Sequence, residues 1–214
     1  MIIPILHSLI VAFAATTIAF ILMLPLAYVG AFLKYPGKWL VETFLLLPLV
    51  LPPTVVGLYI LEVFGKYGPL GFFNSAFIFS LSGSVLATTI IIFPIVYQGL
   101  KGALTSVSTD LTDAGKVAGA NSRQLLTHVL LPNSTTIVII TLLLSFCRAL
   151  GEFGASLMVA GYIPGRTDTL ANSIYFAVQN GQNNTALGLS AINVLFGALV
   201  LGIVYALNRR NMVK

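Results

Sequence analysis

The chain has 214 residues, of which 57% are hydrophobic and only 8% are charged. Soluble domains carry about 25% charged residues, so this composition excludes a soluble globular domain and indicates an integral membrane protein. The formal net charge of +5 indicates which loops face the cytoplasm, where basic residues collect, and is poor evidence for a nucleic-acid partner. The single cysteine, Cys147, excludes an intrachain disulfide and a multi-cysteine metal site.

Five stretches are long and apolar enough to cross a bilayer, which takes about 20 residues of helix. Span one is predicted at 5–33, which contains no Asp, Glu, Lys or Arg. It lacks the basic start and short apolar core of a cleavable signal peptide, so we expect it to remain in the mature protein. The other spans are predicted at 42–62, 82–100, 133–150 and 186–207. The expected fold is an all-α membrane protein with one transmembrane domain over residues 1–214.

Span two is unusual because it contains Pro48, Pro52 and Pro53. Prolines free backbone carbonyls, which a membrane protein tolerates only where protein or a cavity satisfies them. We therefore expect span two to be kinked and packed inside the bundle.

Two segments outside the spans differ in character. Residues 63–80 resemble an interfacial loop, and residues 151–184 are a mixed segment that begins apolar and ends rich in Asn and Gln.

Basic residues in the short loops predict that the N-terminus lies outside and the C-terminus in the cytoplasm. Arg148 falls within span four, and Lys66 and Arg166 fall on the outside. The predicted cytoplasmic set is larger: Lys34, Lys38, Lys101, Lys116, Arg123, Arg209, Arg210 and Lys214.

The longest polar stretch, residues 101–132, is predicted to form a cytoplasmic helix–turn–helix. Ser108 or Thr109 can cap a first helix, and Gly119 begins a break in the helical pattern. Asn121 and Gln124 then have the spacing of a capping box for a second helix. From this pattern alone, the segment is equally well explained as a hairpin that merely connects two spans.

The residues of this hairpin resemble the cytoplasmic signature of ABC importer permeases. That signature is Glu-Ala-Ala, three residues, Gly, nine residues, then Ile-x-Leu-Pro. The chain has Asp113-Ala114-Gly115, Gly119 and Val129-Leu130-Leu131-Pro132 at the same spacing, with Asp, Gly and Val as its departures. Gly115 weakens a helix by about 1 kcal/mol relative to Ala. Pro132 is expected to end the second helix and open span four.

The resemblance implies that the hairpin is a coupling helix that docks on a separate ATPase subunit. The residues that it assigns to this role are Asp113, Ala114, Gly115, Gly119, Ala120, Asn121, Arg123 and Pro132. The chain has no G-x-x-x-x-G-K-[ST] phosphate loop, so ATP and Mg²⁺ would bind the partner and the chain itself would carry no cofactor and no catalytic site. The implied partners are a second copy of the chain, two ATP-binding cassette subunits, an external binding protein and membrane lipid.

An ionisable pair, Arg148 and Glu152, lies four residues apart near the end of span four. Such residues at membrane depth are costly and suggest function, but a pair near the outer boundary could simply neutralise itself. The surrounding Gly-Glu-Phe-Gly-Ala string resembles permeases for molybdate, sulfate and tungstate, and the following residues 161–170 are most similar to the molybdate branch. The candidate translocation gate is Arg148, Gly151, Glu152, Phe153 and Gly154.

The sequence also leaves three other functions open. A self-sufficient secondary transporter or channel would usually show internal repeats and polar residues in several spans. An intramembrane enzyme would need a nucleophile beside a base, but His7 and His128 belong to no recognisable Ser–His pattern. The same machinery could also carry sulfate, thiosulfate or tungstate, since selectivity in this family lies mainly in the external binding protein.

Overall fold

The computed structural model describes residues 2–212, with the side chains of that range other than those of residues 75 and 210–212. Lys214, one of the basic residues predicted to face the cytoplasm, lies outside the described residues. Within them the regular elements are all helical, and no strand is present. The helices are α1 (Ile2–Phe32), α2 (Lys38–Val50), α3 (Pro53–Phe64), α4 (Asn74–Phe77), α5 (Leu81–Thr105), α6 (Thr109–Val117), α7 (Ser122–Gln124), α8 (Leu131–Leu150), α9 (Gly154–Ala160), α10 (Leu170–Gln179) and α11 (Asn183–Met212). A 3₁₀ turn covers Gly71–Phe73, and a π-helical segment covers Leu125–Leu130.

The prediction of an all-α membrane protein is confirmed. Four helical stretches among the described residues are long and apolar enough to cross a bilayer: Ile2–Phe32, Leu81–Thr105, Ser122–Leu150 and Asn183–Arg209. Helices α2 and α3 together pass the same test but are bent by 115° where they join. About five spans are therefore present if this broken pair counts as one.

The break between α2 and α3 follows from two adjacent prolines. A residue that precedes proline is pushed out of the α region, and both Leu51 and Pro52 precede one. Leu51 and Pro52 are extended, with ψ of 141° and 136°. The expected burial of the whole span was wrong for α2, which has no buried residue. The bend separates α2, which contacts α5 through half-buried residues, from α3, which buries Val56, Gly57 and Ile60.

The helix that contains span four begins earlier than the predicted span, at Ser122 rather than residue 133. Pro132 does not end a helix, although it lies in the first turn of α8. The wider turn of the π-helical segment Leu125–Leu130 precedes it and carries the helix without a break. Because α5 also extends to Thr105, the connection between the two long helices is shorter than the predicted 101–132.

Two helices were missed within the mixed segment 151–184. They are α9, which is short and begins at Gly154, and α10, which carries polar Asn and Ser residues on its buried side. Neither has the long apolar run that identifies a membrane span. Thr169 caps α10 by accepting a hydrogen bond from the Asn172 backbone N–H at 3.4 Å.

Helix α5 is the centre of the bundle and packs against α1, α2, α8 and α9. Small residues on α1 allow close approach, as is common between membrane helices: Ala12, Ala15, Ala19 and Ala27 are all fully buried. Helices α3 and α9 meet equally closely, since a Cβ at Gly57 would lie 2.7 Å from Cβ of Met158. The helix that follows the α2–α3 break and the helix that follows the end of α8 are therefore packed directly against each other.

Substituting Gly57→Leu is expected to destabilise the bundle. The added side chain would collide with Met158 and the Ala155 backbone, and overpacking of this kind costs about 1–3 kcal/mol. The measurement is thermal unfolding of the purified protein in detergent. Gly202→Leu is the matched control, since nothing lies within 4 Å of a Cβ at Gly202; an equal loss of stability in both variants would contradict the prediction.

Candidate functional site

The hairpin between α5 and α8 starts with helix α6, which is capped as its sequence predicts. The Ser108 hydroxyl accepts a hydrogen bond from the Leu111 backbone N–H at 3.4 Å, while Thr109 is already the first helical residue. Asp110 lies in the first turn, where the helix dipole favours a carboxylate. On the exposed side, Asp113 and Lys116 form an ion pair with an N–O distance of 2.8 Å.

The turn after α6 is closed by backbone hydrogen bonds. Gly119 has a φ of +84°, a left-handed conformation that only glycine adopts without strain. The Ala120 N–H donates to the Gly115 carbonyl and the Gly119 N–H to the Lys116 carbonyl, which is the Schellman pattern of a helix C-terminus. The turn therefore has one defined geometry.

A capping box starts the second helix of the hairpin, which confirms the prediction made from Asn121 and Gln124. The Asn121 side chain accepts from the Gln124 N–H, and the Gln124 side chain accepts from the Asn121 N–H, both at 2.9 Å. This helix is α7, and it continues without a break into the membrane span. The hairpin is thus joined rigidly to α8.

Gly115 explains one departure from the family signature. A Cβ there would lie 3.0 Å from Cδ1 of Leu125 and 3.4 Å from Cγ2 of Val129. Glycine lets α6 pack closely on the following helix, so the departure shortens the distance between the two arms of the hairpin.

The hairpin presents an exposed surface made of both charged and apolar residues. Asp113, Ala114, Gly119, Asn121 and Arg123 are exposed, and Gly115 and Ala120 are half-buried. Pro132 does not belong to this surface, since it lies nine residues beyond Arg123 and therefore roughly 14 Å further along the helix. The prediction omitted Val117, which is 90% exposed.

The candidate gate is built on a second helix break. Helix α8 ends at Leu150, and the Glu152 N–H donates to the Ala149 carbonyl at 3.1 Å. The helix does not continue through Gly151, yet Nη1 of Arg148 and Oε2 of Glu152 are 2.9 Å apart. The predicted ion pair is therefore present, although a turn rather than a continuous helix brings its members together.

The two members of this pair differ in exposure. The Glu152 side chain is 2% exposed, whereas that of Arg148 is 36% exposed. The second carboxylate oxygen of Glu152 accepts a hydrogen bond from the Ala155 N–H at 3.0 Å, which satisfies the first turn of α9. Glu152 is thus held inside the protein by two partners, and Arg148 is presented at its surface.

The pair lies near the middle of the bundle rather than at its end. Thr141 of α8 is level with Gly99 of α5, because a Cβ at Gly99 would overlap the Thr141 side chain. Arg148 is seven residues further along α8, or about 10 Å at 1.5 Å per residue. Since α8 runs antiparallel to α5, Arg148 is level with the central part of Leu81–Thr105. On the far side of the break, Ser156 donates to Ser84 near the start of α5.

The two helix breaks of the chain meet at this point. A Cβ at Gly154 would lie 3.2 Å from Cβ of Pro53, and the rings of Phe153 and Tyr175 are 5.0 Å apart between centroids. Arg148, Gly151, Glu152, Phe153 and Gly154 are thus gathered at one junction. Sequence reasoning missed Pro53 and Tyr175 there, although the double proline was a usable signal.

Neither histidine is among the residues gathered at this junction. His7 Nδ1 is 2.9 Å from Oδ1 of Asp168, in the loop between α9 and α10. The neighbouring Ser8 hydroxyl accepts from the Leu170 N–H at 2.7 Å. His128 is exposed and contacts Thr127 of its own helix. His7 therefore ties the start of α1 to the 161–169 loop.

Removing Arg148 is expected to destabilise the protein more than its partial exposure suggests. Arg148→Ala leaves the buried Glu152 carboxylate without its cation, which costs about 3–5 kcal/mol. Adding Glu152→Gln should recover a large part of this loss, because a neutral amide needs no cation and its oxygen can still accept from Ala155. Thermal unfolding of the single and double variants measures both effects.

Lys116→Ala serves as the control for this experiment. It breaks the exposed pair with Asp113, which is expected to contribute about 1 kcal/mol or less. A double variant no more stable than Arg148→Ala alone would show that the buried charge is not the reason for the loss.

Comparison with known proteins agrees with this geometry. Residues 23–213 match the family model described as "Binding-protein-dependent transport system inner membrane component". YvgM of Bacillus subtilis (strain 168), whose name assigns it provisionally as a molybdenum transport system permease protein, is 38% identical over 170 residues, which cover 77% of this chain and 75% of YvgM. The molybdenum transport system permease protein ModB of Escherichia coli (strain K12) is 32% identical over 91% of this chain and 90% of its own length.

Two further comparisons are with proteins whose names give other substrates. The sulfate transport system permease protein CysW of Synechocystis is 31% identical over 86% of this chain and 68% of CysW. The solved structure of the MetNI methionine ABC transporter, in inward-facing conformations, contains a chain that aligns with a TM-score of 0.73 at 17% identity, covering 95% of this chain and 94% of that one. The fold is that of ABC importer permeases, and the chain belongs to the family of binding-protein-dependent transport system inner membrane components.

Proposed function

We propose that this chain is the permease subunit of an ATP-driven importer that moves molybdate across the cytoplasmic membrane after an external binding protein delivers it. The observation that carries the proposal is the family match over residues 23–213, which includes both the hairpin and the Arg148–Glu152 junction. The named function of relatives that cover most of the chain favours molybdate as the cargo.

The hairpin is proposed to dock on an ATPase subunit. Its turn has a single geometry, it joins α8 rigidly, and its first helix exposes both apolar and charged side chains: Leu111, Val117, Asp113 and Lys116. Exposed apolar side chains next to charged ones suit a protein partner. ATP and Mg²⁺ would bind that partner, so the proposal gives this chain no cofactor and no catalytic role.

The orientation that fits this role has the N-terminus outside and the hairpin in the cytoplasm. Lys101 pairs with Glu42 at the end of α5 that leads into the hairpin. His7 and Asp168 pair at the opposite end of the bundle. The positive-inside tendency favours a cytoplasmic hairpin if the larger basic set is on the hairpin side. That set is Lys34, Lys38, Lys101, Lys116, Arg123 and Arg209.

A second copy of the chain is proposed to complete the translocation pathway. Helix α2 has no buried residue, and α11 exposes Leu187, Val194, Leu195 and Tyr205. One chain alone therefore leaves extensive apolar surface on two helices, which lipid and the second copy would share.

Arg148 is proposed to attract the oxyanion as it passes the junction. A divalent oxyanion loses its hydration at a high cost in an apolar pathway, and a partly exposed guanidinium can offset part of that cost. Glu152, buried behind it, neutralises Arg148 when no anion is present and so keeps the attraction transient. The double variant Arg148→Ala/Glu152→Gln, which retains the α9 cap, should lose most oxyanion uptake while still folding.

The choice of cargo is tested by stimulation of ATP hydrolysis. The complex is reconstituted from this chain, its ATPase subunit and its binding protein, loaded in turn with molybdate, tungstate, sulfate or thiosulfate. Molybdate should stimulate hydrolysis most strongly. Stimulation by sulfate but not molybdate would overturn the choice and favour the function in the name of CysW. Uptake by the chain alone, driven by an ion gradient without ATPase, would instead indicate a secondary transporter.

A variant with a strained turn after α6 tests whether the hairpin docks on the ATPase subunit. Gly119→Ala places a side chain at a φ of +84°, which costs about 1–2 kcal/mol. If the ATPase requires the native turn, its affinity should fall roughly tenfold, since 1.4 kcal/mol corresponds to that factor. Gly181→Ala is the control, because Gly181 has a φ of +71° and similarly open surroundings but lies after α10. Equal affinity of both variants would contradict the proposed docking.

A further inference from the structure

Helix α2 is attached to the bundle by a polar cluster at its hairpin end. One carboxylate oxygen of Glu42 receives hydrogen bonds from Nζ of Lys101 at 2.5 Å and from the Tyr97 hydroxyl at 3.0 Å. Among the described residues, this is the ion pair that joins α2 to another helix. Apolar packing adds to this attachment, since α2 packs mainly on α5 and half-buries Leu45 and Leu46.

The receiving side of this cluster is rigid. Tyr97 is 1% exposed, and a Cβ at Gly30 would overlap its hydroxyl group. Gly30 of α1 therefore leaves room for the hydroxyl and fixes where it points. Lys101 also lies over the Tyr97 ring, with Nζ 5.7 Å from the ring centroid. Helices α1 and α5 together hold the groups that Glu42 binds.

The cluster lies between the hairpin and the Arg148–Glu152 junction. Lys101 is one turn before the end of α5 at Thr105, and the hairpin helix α6 begins at Thr109. At the other end of α2, the chain bends by 115° into α3. Helix α3 then packs on α9 through Gly57, and Pro53 contacts Gly154 beside Glu152. A continuous series of contacts thus connects the hairpin to the Arg148–Glu152 junction.

We propose that Glu42, Tyr97 and Lys101 are positioning residues that couple the hairpin to the gate. Displacement of the hairpin moves the end of α5, the Glu42 cluster transfers that movement to α2, and α3 moves with it against α9. This inference rests on the proposed function, because it supplies the route by which ATP hydrolysis elsewhere opens the pathway. A physical series of contacts is a necessary basis for such coupling, but only a measured change in coupling establishes it.

The cluster is better suited to transmission than to stability. The Glu42 and Lys101 side chains are each 26% exposed, and ion pairs that reach solvent contribute little to folding. Yet without them α2, which has no buried residue, could slide on α5 while both helices stay folded. Loss of the pair should therefore separate ATP hydrolysis from transport while leaving the fold intact.

The test measures how many oxyanions are transported per ATP hydrolysed. Wild-type and Glu42→Gln complexes, each with ATPase subunits and molybdate-loaded binding protein, are reconstituted in liposomes. The ratio should fall about fivefold in Glu42→Gln, within the range that mutations along a coupling network produce. Glu62→Gln, which removes a carboxylate from the outer end of the same broken span, is the matched control and should keep the wild-type ratio.

Two further variants keep the inference falsifiable. The exchange Glu42→Lys/Lys101→Glu should restore most of the ratio, because it rebuilds the pair in reverse, whereas either reversal alone should not. If Glu42→Gln fails to assemble, Tyr97→Phe removes only the hydroxyl bond and should lower the ratio to a smaller extent. An unchanged ratio in whichever of Glu42→Gln and Tyr97→Phe assembles, or an exchange no better than its single reversals, would overturn the inference.

Failure of the proposed function would be visible separately. If the wild-type complex does not respond to molybdate, the cargo assignment fails, and the same variants are then compared with the oxyanion that does stimulate hydrolysis. If the wild type responds and Glu42→Gln transports with an equal ratio, the function stands and the coupling role of the cluster is rejected.

Discussion

The architecture depends on one constraint, which is that backbone N–H and C=O groups within a bilayer must find partners inside the protein. Long helices satisfy this by themselves, so each interruption of a helix has to be compensated locally. Two interruptions among the described residues, after Val50 and after Leu150, pack against each other. At the second, the Glu152 carboxylate supplies an acceptor for α9. The same side chain that satisfies the backbone also holds Arg148, so structural need and charge placement coincide.

Local signals predicted the features that depend on neighbouring residues. The capping box of Asn121 and Gln124 and the left-handed Gly119 could be deduced from their spacing, because caps and turns are decided within a few residues. Features that depend on packing could not. Nothing in the 42–62 pattern indicates that α2 would lie exposed while α3 is buried, since that depends on the direction of the bend. Pro132 gave a wrong boundary, because the π-helical segment before it accommodates the missing N–H.

The candidate gate also combines a local feature that the sequence predicted with packing that it did not. Four-residue spacing suggested that Arg148 and Glu152 meet, and they do, but through a turn at Gly151 and not on a continuous helix. Their depth required the register of α8 against α5, which no single helix contains. Pro53 and Tyr175 joined the site from distant parts of the chain. A sequence pattern identifies such a residue only when its function is local, and both of these act through contacts made by folding.

The missing side chain at position 115 has an evolutionary consequence. Because Leu125 and Val129 occupy the space beside it, an alanine at this position requires their side chains to shift by a few tenths of an ångström. The two arms of the hairpin should therefore vary together across species, with each gain of volume on one arm matched by a loss on the other.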